Sequence, residues 1–336
     1  MTAQGEGLPR HGYYSDEQVT LLLGDALDVV RSLPDGSVDC IVTSPPYFGL
    51  RDYGTEGQYG LEASPTEYVE TMRVLFAETR RVLADDGTFW LNLGDSYAGS
   101  WGNQSRTASS PGKVPGEDGR YPTQTRTGRI REGMPAAKNL MMVPERVAMA
   151  LQDDGWTLRN KIVWHKTNAM PHSVTDRLSN RYEHLFLFAK SERYYFDLDS
   201  IREPHTMRPQ RRPSGHKARQ KLGVLPAQTY STSRRTEPGV DGHPMGRNPG
   251  DVWAIPTRPY PEAHFAVFPL ELPLRCIKAG CKPGGTVLDT FSGSGTTGEA
   301  ARQLGRRYVG IDLNPTYHDL AKQRFAQGVL DLGPVA

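Results

Sequence analysis

The stretch from Val287 to Asp312 constrains the fold more than any other part of the chain. Val287-Leu288-Asp289 reads as the end of a short buried strand, and Thr290 to Gly298 follows as a glycine-rich turn entering a helix. Gly293, Gly295 and Gly298 satisfy the spacing G-x-G-x-x-G. Glycines let the backbone of such a turn approach a ligand closely, and the helix N-terminus presents free N–H groups to it. Arg307 to Asp312 reads as the next strand and ends on a carboxylate, which can accept hydrogen bonds from both hydroxyls of a ribose. Strand, helix and strand make a right-handed crossover in a parallel sheet, so the segment marks a nucleoside-cofactor site at the sheet's carboxyl edge. A purely structural turn and an NAD site stay open on this stretch alone. A P-loop does not fit, because no Gly-Lys-Ser/Thr follows.

The start of the chain repeats the pattern. Val19 to Leu23 is an apolar run that exits through Gly24-Asp25, and Ala26, Leu27, Val29, Val30 and Leu33 follow at helical spacing. Pro34-Asp35-Gly36 stops that helix, and Val38 to Val42 is a second strand. Later helices are expected over Tyr68–Leu83, Val143–Leu151, Leu270–Ala279, Gly298–Leu304 and Pro315–Phe325. Further strands are expected over Thr88–Leu93, Thr157–Trp164, Glu183–Ala189, Thr286–Asp289 and Arg307–Asp312. The fold class is α/β, a doubly wound and mostly parallel sheet. Trp90, Trp156 and Trp164 fall in or beside strands, where they read as core.

Two segments break the periodicity. Residues 98–136 are rich in Gly, Ser, Thr, Arg and Pro, and so long a stretch without structure is functional or disordered. From Ile201 to Arg247 there are ten Lys or Arg against three acids, Glu203, Glu237 and Asp241. At 336 residues the chain is long for one core, and an α/β domain with one inserted module accommodates it. The expected organisation is one α/β domain built from residues 18–200 and 256–330, with a loop over 98–136 and an inserted region over 201–255.

Composition excludes several classes. Hydrophobic residues make up 37%, charged residues 23%, and the net charge is +2, which is ordinary for a globular protein. Any nucleic-acid partner must therefore be argued from where the charges lie. Cys40, Cys276 and Cys281 form an odd, sparse set without metal-ligand spacing, pointing to a reducing compartment, no disulfide framework and no metal. No run approaches the ~18 apolar residues of a membrane span, and Met1 to Arg10 lacks a signal-peptide core, so a cytoplasmic location with no membrane partner is expected.

Thr43-Ser44-Pro45-Pro46-Tyr47 sits directly after the second strand, again at a carboxyl edge. Two consecutive prolines fix φ and carry no N–H, so the Pro45 carbonyl can be held outward beside the Ser44 hydroxyl and the Tyr47 ring. Such a turn can accept both hydrogens of an amino group while stacking on the ring that bears it. Alone, it reads more simply as a proline turn with a packed tyrosine.

Taken together, Ser44-Pro45-Pro46-Tyr47 and Asp289-Thr290-Phe291-Ser292-Gly293-Ser294-Gly295-Thr296 resemble the DNA amino-methyltransferases, and their order resembles the circularly permuted β-class. The resemblance covers nearly all of residues 18–326. Gly24-Asp25 matches the strand end that meets the adenine amino group of S-adenosylmethionine in that family. Gly310-Ile311-Asp312-Leu313-Asn314-Pro315 matches the ribose-binding segment. His264-Phe265-Ala266-Val267-Phe268-Pro269 is similar to the segment flanking the cofactor's methionine end, and Arg181-Tyr182-Glu183-His184 to a later framework motif.

The resemblance implies a Rossmann-like, seven-stranded sheet with S-adenosyl-L-methionine as cofactor. Asp25, Phe268, Pro269, Asp289, Phe291, Ser292, Gly293, Ser294, Gly295, Thr296, Asp312 and Leu313 would bind that cofactor, and Ser44, Pro45, Pro46 and Tyr47 would act on the base. It places target recognition in residues 201–255, where Arg208, Arg211, Arg212, Lys217, Arg219, Lys221, Arg234 and Arg235 would contact double-stranded DNA. The target base would be flipped out of the duplex. Cytosine C5 chemistry is excluded, since it uses a cysteine after a proline and none of the three stands there. Ser44, where adenine-specific relatives often carry Asp or Asn, favours N4 of cytosine over N6 of adenine. Host protection in a restriction–modification system is the implied role, and a homodimer and a partner restriction endonuclease are compatible with it. The competing readings are an adenine-N6, RNA or small-molecule methyltransferase, an NAD-dependent oxidoreductase, and a catalytically silent DNA-binding module. The oxidoreductase leaves Ser44 to Tyr47 and the basic segment unexplained.

Overall fold

The computed structural model of the chain describes residues 11–51, 54–99, 133–170, 173–205, 243–257 and 268–328. Residues 1–196 and 251–336 belong to one compact unit, and residues 197–250 to a second.

In chain order the larger unit contains β1 (Gly12–Ser15), β2 (Val19–Leu23), α1 (Ala26–Ser32), β3 (Val38–Thr43), α2 (Pro65–Val82) and β4 (Leu83–Leu93). Then come α3 (Val143–Asp153), β5 (Thr157–His165), β6 (Tyr182–Ala189), β7 (Val252–Ala254) and α4 (Glu271–Gly280). The last elements are β8 (Thr286–Asp289), α5 (Thr296–Gln303), β9 (Arg307–Asp312) and α6 (Pro315–Gly328). One sheet takes all nine strands in the order β1-β2-β9-β8-β3-β4-β6-β5-β7. β2, β9, β8, β3 and β4 are parallel neighbours. β6 runs antiparallel to both β4 and β5, β7 pairs parallel with β5, and β1 pairs antiparallel with β2.

The sheet therefore has nine strands rather than the expected seven, and the two additions are its edges, β1 and β7. Neither has a readable apolar period: β1 is Gly-Tyr-Tyr-Ser, and β7 is three residues of which only Trp253 is buried. β7 also falls inside the stretch expected to be an insert. An edge strand is held by one ladder and one covered face, so a short polar or mixed segment suffices.

Alternation along the strands builds two layers. Leu22, Ile41, Phe89, Leu91, Phe186, Phe188, Leu288 and Ile311 join Val29, Val30, Tyr68, Met72, Phe76, Val147 and Leu151 from α1, α2 and α3 in one core cluster. The intervening strand residues Cys40, Trp90, Val287 and Tyr308 are buried, as are Cys276, Ile277, Ala300, Ala301 and Phe325 of α4, α5 and α6. Trp90, Trp156 and Trp164 are all buried, and so are all three cysteines, with no disulfide among them.

Local chemistry starts the helices where they begin. Asp25 Oδ1 accepts the backbone N–H groups of Leu27 (2.9 Å) and Asp28 (3.1 Å), capping α1. Ser64 Oγ caps α2 through Glu67 N (3.2 Å), with Pro65 in the first turn, where its missing N–H costs nothing. Among the described residues no helix is long and apolar enough to cross a membrane.

In the smaller unit, a short 3-10 turn over Asp199–Ile201 precedes an antiparallel bridge between Glu203 and Arg247. The bridge carries backbone bonds in both directions (3.0 and 2.8 Å) and an Arg247 Nη2–Glu203 Oε2 ion pair (2.6 Å). Gly246, at φ +111°, is required there, because a β-carbon would lie 2.2 Å from the Glu203 carbonyl oxygen. Arg208, Arg211, Arg212, Lys217, Arg219, Lys221, Arg234 and Arg235 lie outside the described residues, as does most of the 98–136 loop.

Gly280 closes α4 against β4, where a β-carbon would stand 2.3 Å from Thr88 Oγ1 and 2.5 Å from Trp90 Nε1. Both atoms are fixed, since Thr88 Oγ1 donates to the Gly280 carbonyl (2.9 Å) and accepts from Trp90 Nε1 (3.1 Å). Gly280→Ala is expected to lower unfolding free energy by about 1–3 kcal/mol, read as a shift in denaturant midpoint without a change in slope.

Candidate active site

The strand order reverses between β8 and β3: from β8 the chain moves through α5 to β9 on one side, and β3 is flanked by β4 on the other. Ligands of open α/β sheets bind where the order reverses, outside the carboxyl ends of the strands. A cleft of about 1210 Å³ opens there and is lined by both the Ser44–Tyr47 turn and the glycine turn.

Asp289 joins the two turns from behind. Its side chain is buried: Oδ1 accepts from Thr43 Oγ1 at the end of β3 (2.7 Å) and from Phe291 N (3.0 Å), and Oδ2 accepts from Thr297 Oγ1 in α5 (2.6 Å). Burial pushes its carboxyl up from the ordinary range, and these hydrogen bonds pull it back. Neither Asp289 nor Gly295 lines the cleft. Gly295, at φ +78°, packs against α6, where a β-carbon would lie 2.8 Å from Ala321 Cβ. Phe291, Ser292, Gly293, Ser294 and Thr296 line the cleft, and a β-carbon on Gly293 would meet nothing within 4 Å.

Asp312 and Leu313 line the same wall at the end of β9. Asp312 Oδ2 accepts from Gly293 N (2.8 Å) and Oδ1 from Asn314 N (2.9 Å), so the carboxylate is tied to the glycine turn before any ligand arrives. Burial pushes it up to about 6, against the opposing backbone bonds. At the end of the neighbouring strand β2, where Gly24 N donates to the Asp312 carbonyl (3.0 Å), Asp25 uses Oδ1 for the α1 cap and for Tyr59 Oη (3.4 Å), and Tyr59 meets Phe291 edge-on at 5.2 Å. Burial beside Asp25 raises the Tyr59 hydroxyl. Phe268 lines the cleft, whereas Pro269 does not; its carbonyl accepts Leu272 N (3.0 Å) at the start of α4. The residues before them, His264 to Val267, lie outside the described residues.

The Ser44 turn is clamped from outside. Tyr68 Oη of α2 donates to the Pro46 carbonyl (2.9 Å), and the Tyr47 ring packs so closely on Gly94 that a β-carbon there would lie 2.5 Å from Cε2. Ser44 Oγ donates towards Tyr47 Oη (3.3 Å) and Asn92 Oδ1 (3.4 Å). Tyr47 Oη donates to Glu183 Oε2 (2.8 Å), with Asn92 Oδ1 as a longer alternative (3.2 Å). Asn92 Nδ2 donates to Glu183 Oε2 (3.3 Å) and to the His184 carbonyl (3.1 Å), and Lys166 Nζ pairs with Glu183 Oε1. None of the cysteines lines this cleft, and burial holds the Cys40 and Cys276 thiols well above their ordinary range.

Asn92, Lys166 and Tyr59 are cleft residues that sequence reasoning missed, and Glu183 was noted there only as framework. The signal for Asn92 was available: it sits near the carboxyl end of β4, next to the end of β3. Glu183 is harder to find, because it reaches this edge only through the reversal of β6, and Lys166, just past the end of β5, is placed by the same strand order.

A glycine turn, a strand-end carboxylate and a proline turn gathered at one sheet reversal define a Rossmann-like methyltransferase. The N6/N4 methyltransferase family model, described as DNA methylase, matches residues 38–323, and the chain belongs to that family. It is 44% identical over 309 residues to the type II methyltransferase M.Cfr9I of Citrobacter freundii, covering 91% of this chain and 87% of the relative. It is 42% identical over 304 residues to M.SmaI of Serratia marcescens, covering 90% and 89%. Among solved structures, the PvuII DNA methyltransferase (cytosine-N4-specific) superposes with a TM-score of 0.63 at 18% identity over 95% of this chain and 90% of the other. A Thermus thermophilus protein solved in complex with S-adenosyl-L-methionine gives 0.52 at 22% identity, covering 94% and 97%.

Because Asp312 is raised in the folded protein, the stability it contributes is full below the unfolded carboxyl value of about 3.9 and is lost as pH rises through about 6. Wild type is therefore expected to lose stability relative to Asp312→Asn between about pH 4 and about pH 6. Parallel denaturant titrations check this; a pH-independent difference would contradict the raised carboxyl.

Proposed function

We propose that this DNA methylase transfers a methyl group from S-adenosyl-L-methionine to the exocyclic N4 of cytosine in double-stranded DNA. The observation that carries the reading is the Ser44 hydroxyl, held beside the Pro45 carbonyl and opening into the cleft that the glycine turn and Asp312 also line. The specificity stated in the name of the PvuII enzyme supports the choice of cytosine, and the type II names of the relatives support a role in a restriction–modification system.

The cleft residues suit the cofactor. Asp312 is fixed at the end of β9 where ribose hydroxyls would donate, the open face of Gly293 leaves room for close backbone approach, and Asp25 stands at the end of the next strand with Tyr59 bonded to it and edge-on to Phe291. When bound, the cofactor supplies an activated methyl on a sulfonium, so the protein's contribution is positioning and electrostatics. Phe268, Ser292, Ser294, Thr296 and Leu313 complete its walls, while Asp289, Gly295 and Pro269 act through the backbone they shape.

An aromatic amino nitrogen is a weak nucleophile because its lone pair is delocalised into the ring. Ser44 Oγ and the Pro45 carbonyl would accept its two hydrogens and favour a pyramidal nitrogen. Pro46 fixes the turn, and Tyr47 borders the flipped base. Residues 201–255, with the basic side chains from Arg208 to Arg235, would read the target sequence. The cytoplasm is the compartment that suits this reaction, and a homodimer and a partner endonuclease are compatible with it.

Incubating the protein with the cofactor and unmethylated genomic DNA, then separating nucleosides by mass, tests the reading. N4-methylcytosine is the expected product; N6-methyladenine alone would replace cytosine by adenine, and no methylated amino base would refute the reading. Ser44→Ala is expected to lower kcat by about 100-fold while cofactor still raises the melting temperature.

A further inference from the structure

We propose that Glu183 is a positioning residue that acts through Tyr47 to make Ser44 a hydrogen-bond acceptor towards the target amino group, an inference that rests on the function proposed above. A serine hydroxyl is ambiguous, since it can donate or accept, and an amino group is held as methylation requires only if Ser44 accepts. The direction of the chain of hydroxyls removes the ambiguity. Ionised Glu183 can only accept, and Oε2 lies 2.8 Å from Tyr47 Oη. That charge-assisted bond takes the phenolic proton, leaving the Tyr47 lone pairs to accept from Ser44 Oγ at 3.3 Å. Ser44's second partner, Asn92 Oδ1 at 3.4 Å, is also an acceptor, and Asn92 is locked in that orientation because Nδ2 donates to Glu183 Oε2 and to the His184 carbonyl. Either way the Ser44 proton points into the protein and its lone pairs face the cleft.

Lys166 fixes the far end. Its ammonium pairs with Glu183 Oε1 and sits 4.8 Å from the centre of the Trp164 ring, while the Glu183 side chain is only 15% exposed. The same polarity would turn away a base bearing a carbonyl where cytosine bears its amino group, because two acceptors would then face each other.

Glu183→Gln tests the direction itself. Lys166 can only donate, so it would draw the amide oxygen and turn Nε2 towards Tyr47, presenting a donor where the carboxylate presented an acceptor. Wild type, Glu183→Gln, Tyr47→Phe and the double variant are compared by steady-state transfer to an oligonucleotide duplex, calorimetric cofactor binding and thermal melting. Glu183→Gln is expected to lower kcat by about 10–100-fold, as removing a partner that orients a reacting group does, with melting temperature lowered by loss of the ion pair but cofactor affinity unchanged. The double variant is expected to be no slower than the slower single variant, since both substitutions break one chain. Unchanged kcat in Glu183→Gln, losses that multiply in the double variant, or a joint fall in melting temperature and cofactor affinity would overturn the proposal. Wild type that methylates no amino base would instead refute the function, independently of Glu183.

Discussion

Everything in the cleft depends on where one buried carboxylate places three pieces of chain. Asp289 takes a hydroxyl from the end of β3, a backbone N–H from its own turn and a hydroxyl from the first turn of α5. An ion without water is costly unless its lone pairs are filled, and here the filling groups come from the two turns that the reaction must bring together. The proposed methyl-donor and base subsites are thereby fixed to each other by short bonds. Their residues are far apart along the chain, with Thr43 and Asp289 246 positions apart.

The antiparallel strand β6 extends the same economy of position. In a wholly parallel sheet, only strand ends could reach this edge. Because β6 runs backwards between β4 and β5, its beginning, at Tyr182 and Glu183, comes beside the end of β4 at Asn92 and the end of β5 at His165. The edge thus gains a carboxylate that a parallel strand would have placed on the opposite side, and it meets there the ammonium of Lys166, just past the end of β5. Two chemically distinct walls result: backbone N–H groups and carboxylates towards β9, and a directed set of hydroxyl, amide and ion pair towards β5.

Much of this was legible in the residues. The seven inner strands and their helices carry periodic apolar patterns, and the two turns announce themselves through Gly and Pro. Elements escaped where the information is not local. β1 and β7 are held by a neighbour's ladder rather than by a pattern of their own. Asp289 reads as part of a ligand-binding motif, yet its geometry is that of an internal brace, and its placement depends on Thr43, which no spacing rule pairs with it. Glu183 and Lys166 become neighbours of Tyr47 only once the strand order is known. Sequence patterns report which face a residue turns to, whereas sheet order decides whose company it keeps.

The bridge between Glu203 and Arg247 has a consequence for the length of chain between them. It brings two points of the chain within hydrogen-bonding distance, with Arg202 also bonded to the Gly246 carbonyl (3.1 Å). A closed neck of this kind lets the segment it carries lengthen at an entropic cost that grows only logarithmically. On the function proposed for that segment, its exchange between related chains would resemble changing the bit on a drill: the chuck stays gripped while new DNA words become readable.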